Sequence, residues 1–185
     1  MTFTIYTGPM FGGKTSKMLA DLEREKYRKK KIILFKPEKD NRYSSNEVKT
    51  HSGNSWPAVN VSCGKDLIAQ AKGYDIIGVD EAFMIDGCGQ ALISLFSKGY
   101  SLYVSTVQLS SEGKAFKEPA IMFPYATNII ICPAVCLVTG KDAYYTASVV
   151  EKNSEICVGG SDIYEPRCYE EYFKSKDILN ELDKI

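Results

Sequence analysis

The chain has 185 residues, 44% of them hydrophobic and 25% charged, with 23 acidic residues balancing 23 basic ones. That length holds one core domain and a small appendage, and the balanced charge excludes a nucleic-acid or membrane partner held by bulk electrostatics. No run of about 18 apolar residues is present, which excludes a transmembrane helix, and residues 1–6 lack the basic segment of a signal peptide, so the cytoplasm is the expected compartment.

Residues 2–7 read as a short strand that ends at Gly8, and residues 14–27 as a helix with Met18, Leu19 and Leu22 on one stripe. Residues 31–36 form an apolar strand stopped by Pro37, and residues 40–55 are polar enough to read as one long loop. Strands follow at 59–62, 74–80, 100–105 and 128–132, with helices at 66–72 and 90–98 between them. Short apolar strands alternating with helices are buried on both faces, as in a parallel sheet. The expected fold is therefore α/β, a layered core over residues 1–133. After Pro133 the pattern changes to short β-like runs at 144–150 and 156–158, a small β-rich lobe over residues 134–172. Residues 173–185 read as a charged tail, a frayed helix beyond Tyr172.

Gly8-Pro9-Met10-Phe11-Gly12-Gly13-Lys14-Thr15, followed by Ser16, has the spacing of a phosphate-binding loop between a strand and a helix. Glycines let successive backbone N–H groups curl round an anion, and the helix N-terminus adds a favourable dipole. Lys14 is expected to reach the β- and γ-phosphates of ATP and the Thr15 hydroxyl to meet Mg²⁺. The strand Ile76-Ile77-Gly78-Val79 ends in Asp80 and Glu81, where a carboxylate can hold the metal and a second can take a proton from an attacking hydroxyl. Two solvated acids at a strand end are common elsewhere; beside a phosphate loop they complete a phosphoryl-transfer site. These features leave two classes open, a small-molecule kinase and an NTPase that couples hydrolysis to motion or assembly. A non-catalytic nucleotide-binding protein is a third, disfavoured by the complete catalytic set.

The Met10-Phe11 pair inside the loop resembles the cellular type of thymidine kinase. Collinear matches follow at Lys36-Pro37, at Asp40-Asn41-Arg42-Tyr43-Ser44, at Thr50-His51-Ser52-Gly53 and at Ile77-Gly78-Val79-Asp80-Glu81-Ala82. Ala134-Val135-Cys136, Ala143, Thr146 and Gly159-Gly160-Ser161-Asp162-Ile163-Tyr164 extend the likeness to about residues 3–171. The resemblance implies ATP-dependent phosphorylation of the 5′-hydroxyl of thymidine or deoxyuridine, with Glu81 as base and Asp80 with Thr15 on Mg²⁺. It further implies Arg42 on phosphate and a lasso of residues 158–164, including Val158 and Gly159, closing over the pyrimidine. Met10, Phe116, Thr146 and Tyr164 stand where such kinases line the nucleoside pocket. Members are commonly homotetramers, with a homodimer the other option, and often carry a structural zinc. For Phe116 and Tyr164 ordinary core packing or a turn is a fair rival, and His51, the sole histidine, reads as a solvated loop residue.

Three departures from that family pattern matter. Phe83 and Met84 replace the usual Gln-Phe after Asp-Glu-Ala, and Val107-Gln108-Leu109-Ser110-Ser111 replaces a Leu-Asp-x-x-Phe segment. Phe83 and Met84 are thereby candidate pocket residues; either Phe83 offsets the missing aromatic, or the wider pocket admits a 5-substituted deoxyuridine or another deoxynucleoside. Cys136 and Cys168 keep the first place of each metal-binding pair, but Thr139 and Glu171 fill the second places. Structural zinc needs four ligands, so this remnant is expected to hold none, and a Cys136–Cys168 disulfide is the other option.

Overall fold

The computed structural model describes residues 1–40, 46–49, 55–150 and 159–174. In chain order the strands and helices are β1 (Phe3–Thr7), α1 (Lys14–Tyr27), β2 (Ile32–Pro37), β3 (Glu47–Lys49), β4 (Ser55–Pro57), β5 (Val59–Val61) and α2 (Gly64–Gln70). Next come β6 (Ile76–Val79), a single 3-10 turn (Ala82–Met84), α3 (Cys88–Ser97), β7 (Ser101–Thr106), α4 (Lys117–Met122), a second 3-10 turn (Phe123–Tyr125) and β8 (Asn128–Ile131). The small elements β9 (Ala134–Val135), β10 (Asp142–Ala143), β11 (Tyr145–Ser148), β12 (Tyr164–Arg167) and α5 (Tyr169–Lys174) follow.

Six strands form one sheet in the order β5-β2-β6-β7-β1-β8, and every pairing in it is parallel. Side chains alternate across it, as strand geometry requires. Phe3, Ile5, Phe35, Ile77, Val79, Leu102 and Val104 pack on one face with Leu67 of α2, Leu92 and Leu95 of α3 and Met122 of α4. Tyr6, Leu34, Ile76 and Tyr103 meet Met18, Leu19 and Leu22 of α1 on the other. Burial on both faces is why β1, β2, β6 and β7 read as unbroken apolar runs, whereas β8, expected to be buried likewise, is an edge strand that leaves Ile129 and Ile131 exposed. Gly78 lets α1 settle closely, since a Cβ there would stand 2.8 Å from Leu34 Cδ1 and 3.0 Å from Leu22 Cδ1.

The segment read as a loop over 40–55 holds structure. Val48 pairs with Trp56 across an antiparallel β3–β4 ribbon, and Val48 is buried in the α1-side cluster with Trp56 against it. One inward valine supplies the packing that its polar neighbours conceal. The helix expected at 66–72 starts earlier, at Gly64, because the Asp66 carboxylate accepts from the Ser62 and Cys63 amides at 2.9 and 3.1 Å. The helix expected from 90 starts at Cys88, after Gly87 turns the chain at φ 71°. Helix α4 was not expected; Pro119 inside its first turn hides it. The helix expected beyond Tyr172 begins at Tyr169, while the run at 156–158 and the tail 175–185 lie outside the described residues. In the C-terminal part, β9–β10 and β11–β12 are separate antiparallel pairs, and Ala134, Cys136, Ala143 and Cys168 form a cluster apart from the two sheet faces. Among the described residues, no helix is long and apolar enough to cross a membrane.

One buried carboxylate ties α4 to α3: Glu118, 4% exposed, accepts from the Gly89 amide at 2.8 Å in the first turn of α3. Removing it strands a buried N–H and an orphan helix dipole. Glu118→Ala is expected to lower the unfolding free energy by about 2 kcal/mol, read by denaturant melts, with Glu118→Gln costing clearly less.

Candidate active site

The phosphate loop links β1 to α1, and its glycines are demanded by a backbone oxygen. A Cβ on Gly8 or on Gly12 would lie 2.2 Å from Cys132 O, just past β8, so any other residue drives the loop off its support. Gly8 also has φ 144° and Gly13 φ 72°, and Phe11 adopts φ 65° despite its side chain, a local strain of the kind found at ligand sites. The Lys14 ammonium donates to Pro9 O at 2.7 Å, holding the lysine folded over its own loop.

The Thr15 hydroxyl donates to Asp80 Oδ1 at 2.9 Å, joining the start of α1 to the carboxyl end of β6. Asp80 and Glu81 are both buried, 7% and 8% exposed. Burial, then the neighbouring Glu81 charge and more weakly Asp40, push the Asp80 carboxyl above the ordinary carboxylate range, against the pull of Ser105 and Thr15. Glu81 sits at φ 49°, ψ 44° at the head of the 3-10 turn, a left-handed backbone on a non-glycine residue. Met10, Phe11, Gly13, Lys14, Thr15, Ser16, Asp80 and Glu81 line a single cavity, so the sequence-predicted donor residues and acids come together. A hydroxyl, a carboxylate and a lysine at a helix N-terminus are the donor set for a nucleoside triphosphate with a hard divalent ion.

The candidate nucleoside residues divide into two groups. Thr146 of β11 accepts the Met10 amide at 3.0 Å, so a residue from the C-terminal part touches the phosphate loop directly. Tyr164, buried, stands opposite Ser148 in the β11–β12 ladder, and Gly159 packs against Ile163, where a Cβ would meet Ile163 Cδ1 at 2.4 Å. Phe83 and Phe116 stack on each other, centroids 4.7 Å apart at 41°, and Met84 is half-buried in the same 3-10 turn as Phe83. Arg42, Val158 and His51 lie outside the described residues.

Several neighbours were not foreseen as site residues. Lys36 and Asp40, 2% and 7% exposed, line the same cavity; the signal available was a lysine closing an otherwise apolar strand. Gln108, in the departing segment after β7, accepts from the Thr7 hydroxyl at 2.5 Å and so ties the end of β1 to that of β7. Ser111 is buried, and the preceding Ser110 accepts from the Glu112 and Lys114 amides and, through its carbonyl, from the Tyr172 hydroxyl.

Cys136 and Cys168 are both buried, and both thiols are free. The Thr139 hydroxyl donates to Cys168 Sγ at 3.5 Å, while Gly140, at φ 71°, closes the turn back onto Cys136 O. Burial pushes the Cys136 thiol up, but hydrogen bonds from Thr139, Cys168 and Val138 outweigh it and leave the thiol below its usual range. The acid beside Cys168 is Glu170 rather than Glu171: its own amide, then Lys141 at 3.0 Å and the Cys168 thiol, hold the carboxylate down to about 2. Glu171 instead pairs with Lys174, because α5 turns it away from the cluster. Two thiols and a threonine hydroxyl do not make the four-ligand set of a structural zinc.

The thymidine kinase family model matches residues 1–172. A thymidine kinase from Thermococcus kodakarensis is 35% identical over 181 residues, covering 91% of this chain and 92% of that protein. With a loop, a metal-type acid and a neighbouring carboxylate in one cavity and a match running nearly end to end, the chain belongs to the thymidine kinase family.

Proposed function

We propose that this chain transfers the γ-phosphoryl group of ATP to the 5′-hydroxyl of thymidine, with Glu81 as the general base. The observation that carries the reading is the Thr15–Asp80 hydrogen bond at 2.9 Å with Glu81 next in the chain, inside the cavity of the phosphate loop. Family membership brings ATP with a divalent metal and a nucleoside acceptor. Magnesium would be held by Thr15 and Asp80, and it neutralises charge on the phosphate oxygens. The loop amides and Lys14 bind and align the triphosphate, since transfer of this kind is catalysed mainly by positioning and charge. Glu81 accepts the proton of the 5′-hydroxyl as the oxygen attacks, and its strained backbone fixes the carboxylate at the end of β6.

Residues 134–172 act in this reading as a lobe that presents the nucleoside to the core, with Thr146, Gly159 and Tyr164 lining its pocket and the Thr146–Met10 hydrogen bond as the hinge point. Phe83 stacked on Phe116 supplies the aromatic wall that Ser111 cannot. Arg42 assists on phosphate and Val158 in the lasso by the family pattern. The enzyme would work in the cytoplasm as a homotetramer, and without zinc: hydrogen bonds among Thr139, Cys136, Cys168 and Glu170, with Lys141, take over the tie between the lobe's two halves.

Three measurements test this reading. Glu81→Gln should cut kcat by about a hundredfold or more while ATP affinity by calorimetry stays close to wild type; full turnover in the variant would remove Glu81 from the mechanism. Phe83→Ala is expected to lower kcat/KM for thymidine by about tenfold, chiefly through KM; an unchanged value with an unchanged preference over bulkier 5-substituted deoxyuridines would remove Phe83 from the pocket. Metal analysis of the purified protein should find far less than one zinc per chain, and a full equivalent that resists dialysis overturns the zinc-free lobe.

A further inference from the structure

Lys36, the last residue but one of β2, lies on the α1 side of the sheet with Leu34 and is 2% exposed. A lysine withdrawn this far from water is kept where its charge has an electrostatic purpose. The end of β2 is fixed against the end of β6, because the Asp80 amide donates to Phe35 O at 2.9 Å. Lys36 therefore sits beside the two acids, and it lines one cavity with Lys14, Thr15, Asp80 and Glu81. Its ammonium also reaches Glu47 O of β3 at 3.5 Å, so the β3–β4 ribbon forms the outer wall.

The strand order places these groups in sequence across the sheet. The phosphate loop leaves β1, the acids follow β6, and Lys36 lies near the end of β2, on the flank of β6 remote from β1. Lys14 is held on the donor flank by its 2.7 Å bond to Pro9 O. A phosphoryl group in flight carries charge on three equatorial oxygens, and Lys14 and Lys36 face the shared cavity from opposite flanks of β6.

Resting on the kinase reading above, we propose that Lys36 is a second catalytic cation, contacting from the β2 flank the oxygens of the transferred phosphoryl group, which become those of the product's 5′-phosphate. The bond from the γ-phosphorus to the β,γ-bridging oxygen breaks and the bond to the 5′-oxygen forms. The hydroxyl proton passes to Glu81, and Lys36 remains protonated throughout. A charge that meets phosphate and not the nucleoside predicts selective effects.

The test compares wild type, Lys36→Met and Lys36→Arg as full chains. The expected result for Lys36→Met is a kcat loss of about 30-fold or more with KM for thymidine within about threefold, and partial recovery, about tenfold, in Lys36→Arg. Thymidine 5′-monophosphate should bind Lys36→Met at least about fivefold more weakly by calorimetry while thymidine binding holds. Lys36→Gln repeats the comparison if Lys36→Met melts well below wild type. A neutral variant with kcat within about threefold of wild type, or with equal losses for thymidine and its monophosphate, overturns the assignment. Wild-type protein that phosphorylates no deoxynucleoside removes the kinase reading and Lys36 with it; active wild type with an unimpaired neutral variant removes Lys36 alone.

Discussion

A single backbone oxygen, Cys132 O, sets the position of the phosphate loop. Two glycines, Gly8 and Gly12, approach it so closely that a Cβ on either would fall at 2.2 Å. The loop is thus seated on the end of β8, an edge strand far away in sequence. Two side-chain bonds complete the seating: Thr15 to Asp80 from the end of β6, and the Met10 amide to Thr146 from β11. Three elements remote in sequence fix one short loop. That is how a segment with a strained residue at Phe11 keeps a defined shape.

The same convergence concentrates charge where water is scarce. Asp40, Asp80 and Glu81 are buried beside Lys14 and Lys36 beyond the carboxyl ends of the parallel strands β1, β2 and β6. Ligands of open α/β sheets bind at such ends, since the crevice there is lined by loops rather than by ladders. The raised Asp80 carboxyl follows from burial and from the charge of Glu81. A carboxylate in that setting gains most from a cation, which is the electrostatic argument for metal-bound triphosphate at Thr15 and Asp80.

The sequence was legible where one physical cause acted alone. Apolar runs marked all six strands, although only β1, β2, β6 and β7 are buried almost throughout, and the glycine spacing with Asp80-Glu81 located the cavity. It was misleading where a long-range contact decides a local outcome. Val48 turns a polar stretch into a strand only because α1 and Trp56 cover it. Glu118 caps a helix that begins 30 residues earlier, and Lys36 looks like any strand-end lysine until the β3–β4 ribbon and β6 enclose it. Glu171 and Glu170 are adjacent in sequence, so only the phase of α5 decides that Glu170 faces Cys168.

That cluster is tied together by hydrogen bonds. Gly140 closes the turn over Cys136, and the Thr139 hydroxyl donates to Cys168 Sγ at 3.5 Å. Lys141 bridges to Glu170, whose carboxylate also takes the Cys168 thiol. A metal would gather four negative or neutral donors round one cation. Lys141 is the cation at the rim of the cluster, and the Cys168 thiol accepts from the Thr139 hydroxyl. Such contacts are individually weak beside a metal bond. The Tyr145–Tyr172 stack, 4.7 Å between centroids at 19°, adds packing that ties α5 to β11, and the Tyr172 hydroxyl reaches Ser110 O on the core. Aromatic packing and a hydrogen-bonded turn therefore share the work of orienting β11, and with it Thr146, over the phosphate loop.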